Sequence, residues 1–193
     1  MENALKDVDS ISCVTFTGGE PSLFTQAIRW FIDIVQAKNI TVDSFYVVTN
    51  GLEESKTLAY QLLKLYTVCE TNELSCLCIS DDQYHREERE DTYAAVKLYS
   101  GLSFFRADGR KDIDERYILD EGRACEVGIG RRSVDIPEIE YEDDAISSTV
   151  YINALGGVIP CCDLSYSRQE EEKIGNVNES SLKEIFDRVV QKE

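Results

Sequence analysis

Ser12-Cys13-Val14-Thr15-Phe16-Thr17-Gly18-Gly19-Glu20-Pro21 is the stretch that decides the fold of this chain. Ser12–Phe16 has the apolar, β-rich composition of a half-buried strand. The glycine pair ends it, and Pro21 opens a helix where a missing N–H costs nothing. Two adjacent glycines also remove the side chains that would hold a ligand off the backbone, and they permit positive φ. Glu20 adds a fixed carboxylate, so the loop suits a small zwitterion whose ammonium group it receives. The plainer reading is that Glu20 caps the helix it introduces, where the helix dipole favours a carboxylate.

Outward from this loop the chain alternates. Ser22–Lys38 reads as a helix with Leu23, Ala27, Ile28, Phe31, Ile34 and Val35 at helical spacing. Ser44–Thr49 is a nearly continuous apolar strand stopped by Asn50-Gly51, and Glu54–Val68 is a helix carrying Leu58, Leu62, Leu65 and Tyr66. Leu74–Ile79 is a further buried-type strand, His85–Tyr99 a third helix and Leu102–Arg106 a short strand. Apolar strands separated by such helices make parallel βαβ units, so the expected class is α/β. After Gly109 the rhythm breaks, and residues 110–145 read as irregular, with a helical turn near Ile113–Leu119. Thr149–Asn153 and Gly157–Ile159 predict a hairpin turned at Gly156-Gly157. Ser181 and Glu184 then form a capping box for a last helix with the stripe Leu182, Ile185, Phe186, Val189 and Val190. The expected division is a core over 1–109 and an extension over 110–193.

Composition narrows the function classes. The chain has 193 residues and a net charge of −17, which disfavours binding to nucleic-acid phosphates and to anionic membrane surfaces. The acidic runs Glu87–Asp91, Asp135–Asp144 and Glu170–Glu172 read as solvated faces. No apolar run reaches the roughly 20 residues of a membrane helix, and the start lacks the basic-then-apolar order of a signal peptide. A cytoplasmic setting is therefore expected, with the seven cysteines (13, 69, 76, 78, 125, 161 and 162) reduced. Cys13, Cys69, Cys76 and Cys78 read as small core residues, with Cys76 and Cys78 on one strand face. His85, the one histidine, reads as an exposed residue at a helix start.

Ligands of parallel α/β layers collect at the carboxyl ends of the strands. Here those ends carry Gly18-Gly19-Glu20, then Thr49-Asn50-Gly51, then Ser80-Asp81-Asp82. Together they offer an ammonium receptor, an amide-bearing turn, and hydroxyl and carboxylate groups for a ribose diol. Asn50-Gly51 also reads as a simple turn, and Ser80 to Asp82 as a helix cap.

With these motifs the chain resembles the radical S-adenosylmethionine (SAM) enzymes from their second barrel strand onward, over roughly residues 11–106. The resemblance implies a partial (β/α) barrel in which Gly18, Gly19 and Glu20 bind the methionyl amino group. Asn50 falls in the Thr-Asn-Gly turn, and Ser80 and Asp82 fall where the ribose is held. Gly156-Gly157-Val158-Ile159-Pro160-Cys161-Cys162-Asp163, followed by Gly175-Asn176-Val177 and Ser181–Ile185, resembles the SPASM or twitch extension. That extension implies an auxiliary [4Fe–4S] cluster or another metal, with Cys161 as a ligand, Cys162 as an alternate, and Cys125 as the cysteine preceding the hairpin. The implied cofactors are thus SAM and [4Fe–4S], and the implied substrate class is a peptide.

The sequence departs from that family in one respect. The Cys-x3-Cys-x2-Cys loop that ligates the SAM-cleaving cluster is absent, since no two of the seven cysteines have the x3 spacing. The expectation is an N-terminally incomplete relative, with a site shaped for the cofactor and little catalysis. Two other readings stand beside it. One is a non-catalytic interaction protein that keeps the fold, and the other is a module with a structural metal at Cys125 and Cys161.

Overall fold

The computed structural model describes residues 1–17, 19–52, 55–80, 89–106, 116, 118–143 and 145–190. Two compact units are present: Asp9–Ile113, and Met1–Val8 together with Asp114–Glu193.

In the first unit, β1 (Ser10–Phe16) leads through a 3-10 turn at Pro21–Phe24 into α1 (Gln26–Lys38). There follow β2 (Thr41–Thr49), α2 (Lys56–Val68), β3 (Cys76–Ile79), α3 (Arg89–Tyr99) and β4 (Phe105–Arg106). The strands form one sheet in the order β1-β2-β3-β4, and every pairing is parallel. Mixed α/β architecture with parallel strands is as expected; among the described residues the sheet does not close into a barrel. Strand alternation sends Phe45, Val47 and Leu77 to the helix-covered side, where each is fully buried. Ile28, Phe31, Ile32 and Val35 of α1 and Leu58, Leu62 and Leu65 of α2 are likewise buried. Phe16 meets Phe31 edge to face at 5.6 Å.

Local chemistry trims the expected elements. The helix expected from Ser22 begins instead as the 3-10 turn, because Glu20 caps Ser22 and Pro21 occupies the first position. The strand expected from Leu74 starts at Cys76, since the Leu74 N–H donates to the Ser44 hydroxyl and the Ser75 N–H to the Asn72 carbonyl. Ser55 caps α2 by accepting the Leu58 N–H at 3.1 Å. The expected start of α3 at His85 and the acidic run Glu87–Asp91 lie wholly or partly outside the described residues.

In the second unit come α4 (Gly122–Glu126), the two-stranded pair β5 (Tyr141–Glu142) and β6 (Ala145–Ile146), and the strands β7 (Tyr151–Ile152) and β8 (Gly157–Ile159). After them stand α5 (Tyr166–Glu171), β9 (Gly175–Asn176) and α6 (Leu182–Val190). β7, β8 and β9 form an antiparallel sheet in that order. Ala4, Val158, Val177, Ile185 and Phe186 make its buried core, and the Asn3 amide donates to the Val177 carbonyl at 2.6 Å. The capping box forms as expected: the Ser181 N–H donates to Glu184 and the Glu184 N–H to the Ser181 hydroxyl.

The hairpin turn spans Asn153–Gly156 rather than lying at Gly156-Gly157 as expected. The Gly156 N–H donates to the Asn153 carbonyl, so Gly157 already belongs to β8. Gly156 has φ +83, and a Cβ there would lie 2.5 Å from the Asn178 amide nitrogen. The helical turn expected near Ile113–Leu119 lies mostly outside the described residues; Leu119 itself bridges to Arg132.

Candidate functional site

The carboxyl ends of β1 and β2 are fastened together by one side chain. Glu20 Oε1 accepts the Ser22 N–H at 3.0 Å and the Thr49 hydroxyl at 2.6 Å, while Oε2 accepts the Asn50 N–H at 2.8 Å. A carboxylate has about four acceptor positions, so among the described residues these three bonds leave one, on Oε2. The capping reading of Glu20 is thus realised in its bond from Ser22. Thr49 was quoted only as part of the Thr49-Asn50-Gly51 motif and given no role of its own; its place at the last position of an apolar strand was the available signal.

Beside Glu20, Gly19 takes φ +58, and a Cβ there would meet nothing within 4 Å. Among the described residues, no side chain fills that position of the loop. Asn50 folds back so that its side-chain oxygen accepts the Leu52 N–H at 3.0 Å, the local turn that Asn favours. The β3 end joins the same edge, because the Ser80 N–H donates to the Thr49 carbonyl at 2.9 Å. Gly19, Glu20, Asn50 and Ser80 are accordingly neighbours along one edge. Gly18, Asp82 and His85 lie outside the described residues.

The candidate metal ligands occupy the second unit. Cys125 is exposed on α4, Cys161 is half-buried directly after β8 and Pro160, and Cys162 is exposed. A clamp joins the two segments: Glu121 accepts the Ser165 N–H at 2.9 Å and the Arg168 guanidinium at 2.8 Å. Cys125 stands one helical turn after Glu121, and Cys161 stands four residues before Ser165. The Asp163 N–H donates to the Cys161 sulfur at 3.5 Å, and the Cys162 thiol donates to the Asp163 carboxylate at 3.6 Å. The Asp120 carboxylate pushes the Cys125 thiol up from its ordinary value. Partial burial of its sulfur, with Asp163 beside it, pushes up the Cys162 thiol.

Behind the cysteines the β7–β8 turn is held by Asn153, which is buried. Its side-chain oxygen accepts the Leu155 N–H at 3.0 Å and the Gly157 N–H at 2.8 Å, and its amide donates to Gln169 at 3.2 Å. Gln169 in turn donates to the Leu164 carbonyl at 2.9 Å. This network fixes both ends of the segment that carries Cys161 and Cys162. Residues 144–192 match SPASM, the iron-sulfur cluster-binding domain. The SPASM match takes in the strands β7, β8 and β9 and the helices α5 and α6. No curated protein and no solved structure matches the chain.

An iron–sulfur cluster is held by cysteine thiolates, four in the common case. The SPASM segment contains two cysteines, adjacent in sequence, and adjacent side chains diverge too much to grip one metal together. Among the described residues, no three His, Cys, Asp or Glu side chains converge as a metal site. The carboxylates beside Cys125 and Cys162 also work against thiolate formation. The residues present therefore do not by themselves fit a complete cluster. Cys76 and Cys78, expected to share a strand face, do so with their sulfurs 3.2 Å apart.

Proposed function

We propose that this chain is a radical SAM-type protein whose sheet edge binds the aminoacyl end of SAM and whose SPASM extension presents Cys161 to a metal. The observation that carries the reading is the Glu20 carboxylate, locked by Thr49 and Asn50 and left, among the described residues, with one acceptor position next to the glycine loop. An ammonium group on that position would complete the carboxylate's bonding in a fixed direction. Asn50 and Ser80 would then flank the ligand, with Gly18 and Asp82 as the further residues that the resemblance implies. Cys161 would be a metal ligand, with Cys125 opposite it across the Glu121 clamp and Cys162 as an alternate. With Cys162 only an alternate to Cys161, two further ligands would have to come from beyond these three cysteines. Reductive cleavage of SAM is not assigned to the chain alone, because the sequence lacks the Cys-x3-Cys-x2-Cys loop. A peptide remains the substrate class implied by resemblance.

Anaerobic calorimetry with SAM and with S-adenosylhomocysteine tests this reading. Both share the aminoacyl end, so both should bind. Glu20→Gln should weaken each by about tenfold or more, the worth of one charge-assisted hydrogen bond. Thr49→Val controls for the anchor, since it disturbs the edge while keeping the carboxylate. No binding of either compound would overturn the proposal. It would leave the interaction-protein reading, which rests on the net charge of −17 and a basic partner.

A further inference from the structure

Cys76 and Cys78 stand apart from the residues assigned above, and their sulfurs lie 3.2 Å from each other. Both belong to β3, whose edges are occupied by β2 on one side and β4 on the other. Side chains two positions apart on a strand share a face, here the face opposite the fully buried Leu77. Register sets Cys76 level with Tyr46, and Cys78 level with Val48 on β2 and Arg106 on β4. The approach of the two sulfurs is therefore a property of one strand held between two paired neighbours. Cys76 is buried and Cys78 partly exposed, so Cys78 is the thiol that meets an incoming ligand first.

Strand geometry argues against a direct bond between them. Two residues of strand advance about 6.4–6.8 Å, the upper limit of the Cα separation that a disulfide spans. Closing the sulfurs to about 2.05 Å would buckle β3 and strain its ladders with β2 and β4. A shared third atom needs no such movement. With bonds of about 2.3 Å to each sulfur, as in zinc thiolates, the 3.2 Å separation gives an angle of about 90° at that atom. A linear two-coordinate ion would hold the sulfurs about 4.6 Å apart on the same bond length and does not fit. Tetrahedral zinc asks for about 3.8 Å and two further ligands, and no three His, Cys, Asp or Glu side chains converge among the described residues. A pyramidal centre with a lone pair, whose bond angles close toward a right angle, matches the pair as it stands.

We propose that Cys76 and Cys78 form a two-thiol binding site for a trivalent arsenical. An arsenical of the type R–As=O condenses with both thiols. Two As–S bonds form, the As=O bond breaks, and its oxygen leaves as water with the two thiol protons. No electron is transferred, and the arsenic stays trivalent. The product carries no net charge, which suits a half-buried strand face where an unpaired ion would be costly.

Titration of the full chain with phenylarsine oxide, mapped by peptide mass spectrometry, tests the site. The expected product carries an arsenical bridging Cys76 and Cys78, released by a competing small dithiol and not by a monothiol. Cys78→Ala, at the partly exposed position, should leave the circular dichroism unchanged. It should weaken binding there by about a hundredfold, because the second bond is effectively intramolecular. Cys76→Ser is the second variant, with the same expected loss. Because β3 holds the sulfurs together before the ligand arrives, the folded chain should bind about tenfold more tightly than the chain unfolded in urea. Equal affinity in the two states would overturn the proposal. So would an adduct confined to Cys161 and Cys162, or one at β3 that Cys78→Ala leaves intact. A Cys76–Cys78 disulfide formed with oxidised glutathione, while phenylarsine oxide fails to bind, would overturn it in favour of a redox pair.

Discussion

The Thr49 hydroxyl donates to the Glu20 carboxylate at 2.6 Å and thereby pins the loop after β1 to the last residue of β2. Because the same carboxylate also accepts the Asn50 N–H, the ends of two parallel strands cannot separate without leaving donors unpaired. Thr49, itself buried, loses its partner in Glu20→Ala, which is expected to destabilise the first unit by about 2 kcal/mol. Thr49→Val takes away the acceptor of the Gly51 N–H at 3.2 Å as well as the donor to Glu20, so its cost is of similar size, about 1–2 kcal/mol. Urea denaturation followed by tryptophan fluorescence measures both, since Trp30 is the one tryptophan and lies in this unit. Equal stability of the Ala variant and the wild type would show that the carboxylate does not anchor the edge.

Asn153 has the corresponding place in the second unit. Alanine there leaves the Leu155 and Gly157 N–H groups without their acceptor and the Gln169 side chain without a donor. The expected loss is about 2–3 kcal/mol, and hydrogen exchange at Leu155 and Gly157 should accelerate selectively. Unchanged protection of those two amides would contradict the assignment of the turn to this side chain.

Gly156 tests the same turn from the backbone side. Alanine at φ +83 costs about 1 kcal/mol from conformation alone. Its Cβ would also sit 2.5 Å from Asn178 and 2.8 Å from Asn176, which must shift and surrender their bonds to the Leu155 carbonyl. A lowered melting temperature is expected for Gly156→Ala. Gly101→Ala, where a Cβ meets nothing within 4 Å, should have little effect.

How much of this was legible in the sequence follows from how local each signal was. The capping box at Ser181 and Glu184 and the strand at Gly157–Ile159 rest on neighbouring residues and stand where the sequence placed them, and the strand expected at Ser44–Thr49 ends as expected but begins earlier, at Thr41. The 3-10 turn at Pro21–Phe24 was missed because the Glu20 cap competes with the helical pattern there. α4, α5 and β9 were missed for another reason. α5 is six residues of mostly polar composition, and its position depends on Gln169 and Arg168 reaching partners remote in the chain. Such contacts leave no period to read. At the candidate site, Glu20, Asn50 and Ser80 were readable as strand-end residues, but the bond from Thr49 that unites them joins residues 29 positions apart.

The cysteines should differ in reactivity in an order set by burial and charge. Burial pushes the Cys69 thiol up to about 11, so at neutral pH almost none of it is thiolate and iodoacetamide should modify it last. Cys125 is exposed, yet the Asp120 carboxylate raises its thiol. Added salt screens that charge and should speed its alkylation. Time-resolved labelling with peptide mass spectrometry checks both points. Labelling of Cys69 as fast as Cys125 would contradict the burial, and a salt-independent rate at Cys125 would contradict the role of Asp120.

The clamp on Glu121 makes the second unit sensitive to acid. Burial raises its carboxyl, but the bonds from Ser165 and the Arg168 guanidinium outweigh it and hold the group below its ordinary 4.5. The unfolded chain therefore takes up this proton at a higher pH than the folded one does. The stability that the clamp contributes is complete above pH 4.5 and is lost as the pH falls through the lower folded value. Glu121→Gln removes the titration and weakens the bond to Arg168, so it is expected to cost about 1–2 kcal/mol at pH 7. The difference from wild type should shrink below pH 4.5, because the protonated wild type then resembles the variant. Melting temperatures of the two proteins between pH 7 and about pH 3 read this directly. A constant gap across that range would show that the clamp does not depend on the Glu121 charge.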